Sequence, residues 1–518
     1  MRLKTFGLSL LAVVAACAGP EAALKDGPAA AAAPQEGAVR EAAVAGSFYP
    51  ADAAALQAAV DGFLADAVPA AGFRPIALVA PHAGYIFSGQ IAADAWAQAA
   101  RQEYDAIVLL GTNHTGVSAA KIAVYDGAGM KTPLGVARVD VSLRAALLSA
   151  CGGDCIRDAG AHAREHSVEV QLPFAQRLFP TTPVVAVVVA PGDPAVAERF
   201  GRVLATALKG RKALIVASSD LSHYPPARYA PDVDRRTVQS IVSMEPGQFV
   251  ATLSAAERQG VPGLATCACG EAPIVSAIVA AKALGATRAH AVSYANSADT
   301  PVGEADRVVG YAAIAFTGGP AGQDLSGLPQ QGPAPSAAPL TDADRTRLLA
   351  LARATITRFL ASGTVPLARG FGAGAQRQQG VFVTLRKRGD LRGCIGQMKP
   401  STAIPLLVQQ MALAAAFEDP RFDKVRAGEV KDLEVEISLL TPFARVNGAG
   451  AVQPGRDGVL LQKDGRSAVF LPQVATEEGW NRDQLLDNLC VKAGLQTGCW
   501  QTGATLSTFQ AEVFGERK

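Results

Sequence analysis

Ile76-Ala77-Leu78-Val79-Ala80-Pro81-His82-Ala83-Gly84-Tyr85 decides the reading of the first half of the chain. An apolar run the length of one buried strand stops at Pro81, and a histidine is delivered at its exit. The same grammar recurs twice. Ile107-Val108-Leu109-Leu110 runs into Gly111-Thr112-Asn113-His114, and Ala213-Leu214-Ile215-Val216-Ala217 runs into Ser218-Ser219-Asp220-Leu221-Ser222-His223. In open α/β sheets, ligands sit beyond the carboxyl ends of the strands. Three strands that end in this way aim three imidazoles at one place.

The chain has 518 residues, enough for two or three domains with sizeable cores. A formal charge of +2 gives no sign of a polyanion-binding surface, so nucleic acid is not an expected partner. All six histidines lie between His82 and His290, so any histidine chemistry belongs to the first domain.

Residues 1–17 read as an export signal. Arg2 and Lys4 precede an apolar stretch, Phe6 to Ala16, too short for a standard membrane span. Val14-Ala15-Ala16-Cys17 resembles the lipobox of bacterial lipoproteins. That implies lipidation of Cys17 and a tether on the periplasmic side of the cell envelope, with a plain cleaved signal peptide as the alternative; Ala18 after the cysteine points to the outer membrane. Residues 18–38 read as a flexible leash. Export makes disulfides permissible. Cys151 with Cys155, and Cys490 with Cys499, are local pairs that read either as disulfides or as thiols. Cys267, Cys269 and Cys394 have no local partner other than one another.

Residues 39–317 read as an α/β domain with a largely parallel or mixed sheet flanked by helices. Further strands are expected over 183–190, 289–295 and 309–316, and a helix from about Cys269-Gly270-Glu271 onward. No GxGxxG opens a helix after the first strand and no Walker loop is present, which argues against nucleotide binding by those means.

Taken singly, His82 and His114 read equally as satisfied loop residues. Asp220 and His223 fit a helix cap, and Glu165-His166-Ser167 an ordinary first helical turn. Together these readings lose ground, because five of the six histidines fall in polar loops between apolar runs. Cys269 adds a soft donor at a helix start, where the dipole favours the thiolate. Imidazole with carboxylate or thiolate suits Fe or Cu, and a thiolate also suits Zn. Asp220, His166 and His223 then support the ligands or handle protons.

These motifs carry a family resemblance. Gly46-Ser47-Phe48-Tyr49-Pro50, Pro81-His82-Ala83-Gly84-Tyr85, Gly111-Thr112-Asn113-His114, Glu165-His166-Ser167-Val168-Glu169, Ser219-Asp220-Leu221-Ser222-His223, Cys269-Gly270 and Val309-Gly310-Tyr311-Ala312 occur in order across about 40–317. The set resembles the Memo family, which is structurally similar to class III extradiol (LigB-type) non-haem iron dioxygenases. The resemblance implies that His82, His114 and Cys269 hold the metal, with Asp220 and His223 lining the pocket and His166 nearby. In the dioxygenases a carboxylate stands where Cys269 falls, a departure that bears directly on ring-cleaving activity.

Residues 318–340 are rich in Pro, Gly and Ala and read as an interdomain linker. A second, smaller α+β domain is expected over 341–518. Thr341 is placed to cap an amphipathic helix. Gly380 to Leu385 and Leu391 to Gly396 read as a hairpin, a helix covers Ala403 to Phe417, and Leu433 to Leu440 alternates as a half-buried strand. Leu391-Arg392-Gly393-Cys394-Ile395-Gly396 and the Phe417 to Phe422 segment resemble the AMMECR family. Arg392 and Cys394 are the functional candidates there, against a reading of close packing around two glycines and a small buried thiol.

Memo-like and AMMECR-like proteins resemble two components of the bacterial set named AmmeMemoRadiSam, whose third member is a radical-SAM protein; this implies functional association with such a partner. This chain has no CxxxCxxC motif of its own. The expectation is an envelope-anchored fusion that binds Fe or Cu and acts on a small molecule as a metal-dependent oxidoreductase. The alternative is a non-catalytic metal-binding or interaction scaffold.

Overall fold

The computed structural model describes residues 37–116, 118, 120–328, 338–400 and 402–516. The signal peptide, Cys17 and almost all of the leash lie outside the described residues. The chain forms two compact units, one built mainly from residues up to 328 and the other mainly from 338 to 516. Among the described residues, no helix is long and apolar enough to cross a membrane.

The first unit is organised by a nine-stranded mixed sheet. Its order is Gly322–Asp324, Arg288–Asn296, Gly310–Thr317, Pro75–Ala80, Ala213–Ser218, Ala106–Thr112, Val184–Val189, Ile122–Val124 and Cys155–Arg157. The four central strands, from Pro75–Ala80 to Val184–Val189, run parallel. Antiparallel neighbours flank them on both sides. The central strands read as unbroken apolar runs because both faces are covered. Val79, Val108, Leu110, Ile215 and Val187 pack under the helices Pro194–Ala207, Ala230–Val242 and Glu271–Ala283. Leu78, Ile107, Leu109, Leu214 and Val216 pack under Ala53–Ala65, Tyr85–Ala97 and Leu172–Leu178. Each fully buried aliphatic side chain of this kind contributes roughly 1.5–3 kcal/mol of transfer free energy.

Short polar caps start the helices. The Asp52, Asp140 and Asp193 side chains accept backbone N–H groups from the first turns of Ala53–Ala65, Val141–Cys151 and Pro194–Ala207. Pro194 sits where a missing N–H costs nothing. The segment read as a linker departs from that expectation at its start: Gly322–Asp324 is an edge strand, parallel to Arg288–His290. Backbone pairing overrides the weak strand propensity of Gly and Asp there.

The second unit has two antiparallel four-stranded sheets. One has the order Asp390–Gln397, Gly380–Lys387, Leu433–Leu440, Ala511–Gly515; the other Ala444–Val446, Thr505–Phe509, Gly458–Lys463, Arg466–Phe470. Thr341 opens the helix Asp342–Ser362 reciprocally: its Oγ1 accepts from Asp344 N at 3.1 Å while Asp344 Oδ2 accepts from Thr341 N at 3.2 Å. Two local disulfides, Cys151–Cys155 and Cys490–Cys499, close the pairs left open by the sequence.

Candidate metal centre

Pro75–Ala80, Ala213–Ser218 and Ala106–Thr112 are neighbours in the sheet and run parallel. Their carboxyl ends therefore open at one edge and deliver His82, Asp220 with His223, and His114 into a single crevice. Asp220 ties two of these exits together: its Oδ1 accepts the N–H of His82 at 2.7 Å and of Ala83 at 3.3 Å. Neither Asp220 nor His223 caps a helix, since the next one starts at Ala230.

Two further loops complete the crevice. Glu165 to Val168 connects the short helix Ala159–His162 to the single turn Glu169–Gln171 and is not itself helical. It brings in His166. The residue before the helix Glu271–Ala283 and its Gly270 cap brings in Cys269. Gly270 is required by space: a Cβ there would lie 2.5 Å from Ser219 Cβ and 2.6 Å from Ser218 O. The Cys269 loop reaches the strand exit only because that atom is missing.

The rings of His114 and His166 stack with centroids 4.3 Å apart, and His82 stands edge-on to both, at 5.0 and 5.3 Å. Two sets of donor atoms lie mutually within 4.8 Å: His82, His114 and His166, and His82, Asp220 and Cys269. His82 belongs to both. Each set holds two members of the expected trio: His82 with His114 in one, and His82 with Cys269 in the other. His166, expected beside the ligands, stands among the potential donors. His223 belongs to neither set.

The electrostatics favour neutral imidazoles at His82, His166 and His223. Burial, reinforced by the other histidines, pushes His82 and His166 well below the ordinary histidine value. Burial also lowers His223 and raises the Asp220 carboxyl. Neutral imidazole is the form that ligates. His114 donates Nδ1–H to Glu165 Oε1 at 2.9 Å, and its backbone N–H to Oε2 at 2.8 Å. Burial opposes the Glu165 charge, but the hydrogen bonds from His114 and the Ser167 N–H outweigh it and hold the carboxyl far below its ordinary value. His114 Nε2 is left buried without a hydrogen-bond partner among the described residues. His223 Nδ1 donates to Leu221 O at 2.9 Å. His82 Nε2 lies 3.2 Å from Cys269 Sγ, and its Nδ1 lies 3.0 Å from Ser218 Oγ. Lone-pair nitrogens, a thiol and a carboxylate gathered in two sets around His82, with carboxylate and carbonyl acceptors behind the rings of His114 and His223, fit a transition-metal ion.

The second-domain candidates are engaged elsewhere. Arg392 is the extra residue of a bulge, skipped where Leu385 faces Gly393 and Arg386 faces Leu391. It donates to Glu429 Oε1 at 2.8 Å. Cys394 is half-buried, its thiol pushed up by burial, and its Sγ accepts from Thr384 Oγ1 at 3.3 Å. Its backbone N–H is held by Asp419 at 2.9 Å.

Glu165, Ser218 and Gln171 support the rings in ways that the motifs alone do not disclose. Glu165 has a legible signal, an acid beside a loop histidine. Ser218 and Gln171 have none: Ser218 ends an otherwise apolar strand and Gln171 closes a three-residue turn.

Comparison with known proteins agrees with this architecture. Residues 40–315 match the family model described as Memo-like protein, and residues 349–514 match AMMECR1. A MEMO1 family protein of Aquifex aeolicus is 40% identical over 282 residues, covering 54% of this chain and 99% of that protein. One of Methanopyrus kandleri is 36% identical over 292 residues, with the same coverage of 54% and 99%. Among solved structures, an uncharacterized Pyrococcus horikoshii protein is 33% identical and aligns with a TM-score of 0.34, covering 34% of this chain and 94% of its own. The chain belongs to the Memo family and carries an AMMECR domain fused behind its Memo domain.

Proposed function

We propose that the Memo domain holds one redox-active transition ion, iron or copper, in the crevice of His82, His114, His166, Asp220 and Cys269, and that the chain is a metal-dependent oxidoreductase acting on a small molecule. The observation that carries this reading is His114 Nε2: buried, unpartnered among the described residues, and backed by a carboxylate on the opposite nitrogen. A buried nitrogen without a partner costs about 1–3 kcal/mol unless something occupies its lone pair. A bound ion would supply one-electron chemistry. The chain itself supplies a buried, neutral His223 beside the donors, and Asp220 wherever it is not occupied by the ion, as the groups suited to taking up or releasing a proton.

The same proposal places the protein in the bacterial envelope, lipid-anchored through Cys17, in functional association with a radical-SAM protein. Both disulfides agree with an oxidising compartment. Elemental analysis of envelope-purified protein, beside His82→Ala and Cys269→Ser, tests the centre. Stoichiometric iron or copper that falls in both variants, with oxygen consumption in the presence of catechol-like compounds, is the expected result. Unchanged metal content in both variants overturns the site. Metal loss without turnover on any substrate supports the scaffold alternative. Retention in the membrane fraction that is lost in Cys17→Ser tests the anchor.

A further inference from the structure

We propose that Ser218 is a positioning residue that decides which ring nitrogen of His82 faces the centre, and that Gln171 and Trp96 lock it in that role. The inference rests on reading the imidazole cluster as a metal centre. A serine hydroxyl has one proton and two lone pairs. Ser218 Oγ lies 2.6 Å from the carbonyl oxygen of Ser167, which has no proton to give, so Ser218 donates there. Gln171 Nε2 lies 2.9 Å from Ser218 Oγ and 2.9 Å from Pro81 O, donating to both. The amide is held this way round because the Trp96 indole N–H, which only donates, points at Gln171 Oε1 at 2.8 Å.

With its proton committed and one lone pair filled, Ser218 Oγ has one acceptor position left. His82 Nδ1 occupies it at 3.0 Å. Nδ1 therefore carries the ring proton, and the Nε2 lone pair faces Cys269 Sγ at 3.2 Å. Ser218, Gln171 and Trp96 are each wholly buried, so bulk water does not compete for these bonds. The need for the relay follows from chemistry. Behind His114 stands a carboxylate and behind His223 a carbonyl, and both of these only accept. A hydroxyl turns either way, and if it donated to His82 the proton would sit on Nε2, where a ligand needs its lone pair. Trp96 and Gln171 remove that freedom from outside the donor set.

Long-range proton–nitrogen correlation spectra of the metal-free full-length protein test this directly. The expected result is a protonated, pyrrole-like Nδ1 and a pyridine-like Nε2 on His82. A His82 protonated at Nε2 overturns the proposal. Ser218→Ala should mix the two tautomers and weaken Zn(II) and Fe(II) binding about 10–100-fold, while Ser218→Thr, which keeps the hydroxyl, should restore the wild-type tautomer. Unchanged tautomer and affinity in Ser218→Ala also overturn the proposal. If Ser218→Ala fails to fold, the wild-type spectrum decides alone. If the tautomer behaves as stated but no metal binds either protein, the relay stands and the metal reading falls.

Discussion

Glu165 holds His114 twice, by the ring Nδ1 at 2.9 Å and by the backbone N–H at 2.8 Å. One carboxylate thus fixes both where the histidine sits and which way its ring turns. The carboxylate is held in turn by the Ser167 N–H, which donates to Oε1 at 2.8 Å, and the Glu165 backbone by Arg40 Nη2, which donates to its carbonyl oxygen at 2.9 Å. Glu165→Gln keeps the shape and removes the charge. It should weaken divalent-metal binding about 10–100-fold, measured by competition against a chelator of known affinity. An unchanged affinity would show that His114 is not a ligand.

Two donor sets share His82, and they differ in hardness. The three imidazoles make an all-nitrogen set; Asp220 and Cys269 make a mixed set with a thiolate. His82→Ala should abolish binding at either. Cobalt(II)-loaded protein should show thiolate-to-metal charge-transfer absorption that disappears in Cys269→Ser and survives in His166→Ala. Absorption unaffected by Cys269→Ser would place the ion among the imidazoles alone.

The parts of this molecule that were legible in the sequence were those with local causes. The strand exits at His82, His114 and Asp220 were readable because an apolar run, a break and a polar residue follow one another along the chain. The Thr341 cap and the hairpin around Arg388 were readable for the same reason. The spacing of the donors was not. How near Cys269 comes to His82 and Asp220 depends on the path of a loop that must clear Ser219, a contact between residues 51 positions apart. The polar support of the rings was equally hidden, because Ser218 at a strand end and Gln171 after a valine have no periodicity to betray them. The small strands Ile122–Val124 and Gly322–Asp324 went unread because three residues are too few to show a period, and their pairing partners lie far away in the chain.

Acid stability should report on Glu429 in the second unit. Partial burial works against its charge, but Arg392 at 2.8 Å, Lys387 at 2.9 Å and the Arg426 N–H at 2.9 Å outweigh it. They hold its pKa down at about 2 from an ordinary 4.5. A carboxylate lowered in the fold adds stability that is complete above its unfolded value and disappears as pH falls through the folded one. The contribution should therefore fade between about 4.5 and about 2. Glu429→Gln should be less stable than wild type at neutral pH and lose less on acidification through that window. Parallel acid-unfolding curves for the two proteins would show that the ion pairs contribute nothing.

The glycines of the Asp390–Gln397 hairpin offer a test of why the Leu-Arg-Gly-Cys-Ile-Gly stretch has its form. Arg388 and Gly389 make a two-residue turn between the paired Lys387 and Asp390, both with positive φ, 55° and 88°. Around Gly389 there is open space, so Gly389→Ala should cost only backbone strain, about 1–2 kcal/mol. Gly393 has ordinary backbone angles and the opposite problem. A Cβ there would lie 2.2 Å from the Ala415 carbonyl oxygen of the helix Ile404–Phe417, which packs on this strand. That oxygen is backbone and cannot swing aside. Gly393→Ala should therefore cost about 1–3 kcal/mol or more by overpacking, and it should also shift Cys394, the next residue, changing its rate of alkylation. Chemical denaturation of both variants, with thiol-labelling rates alongside, separates the two causes. Equal destabilisation with unchanged labelling would mean that the motif is spaced for its turn rather than for the helix behind it.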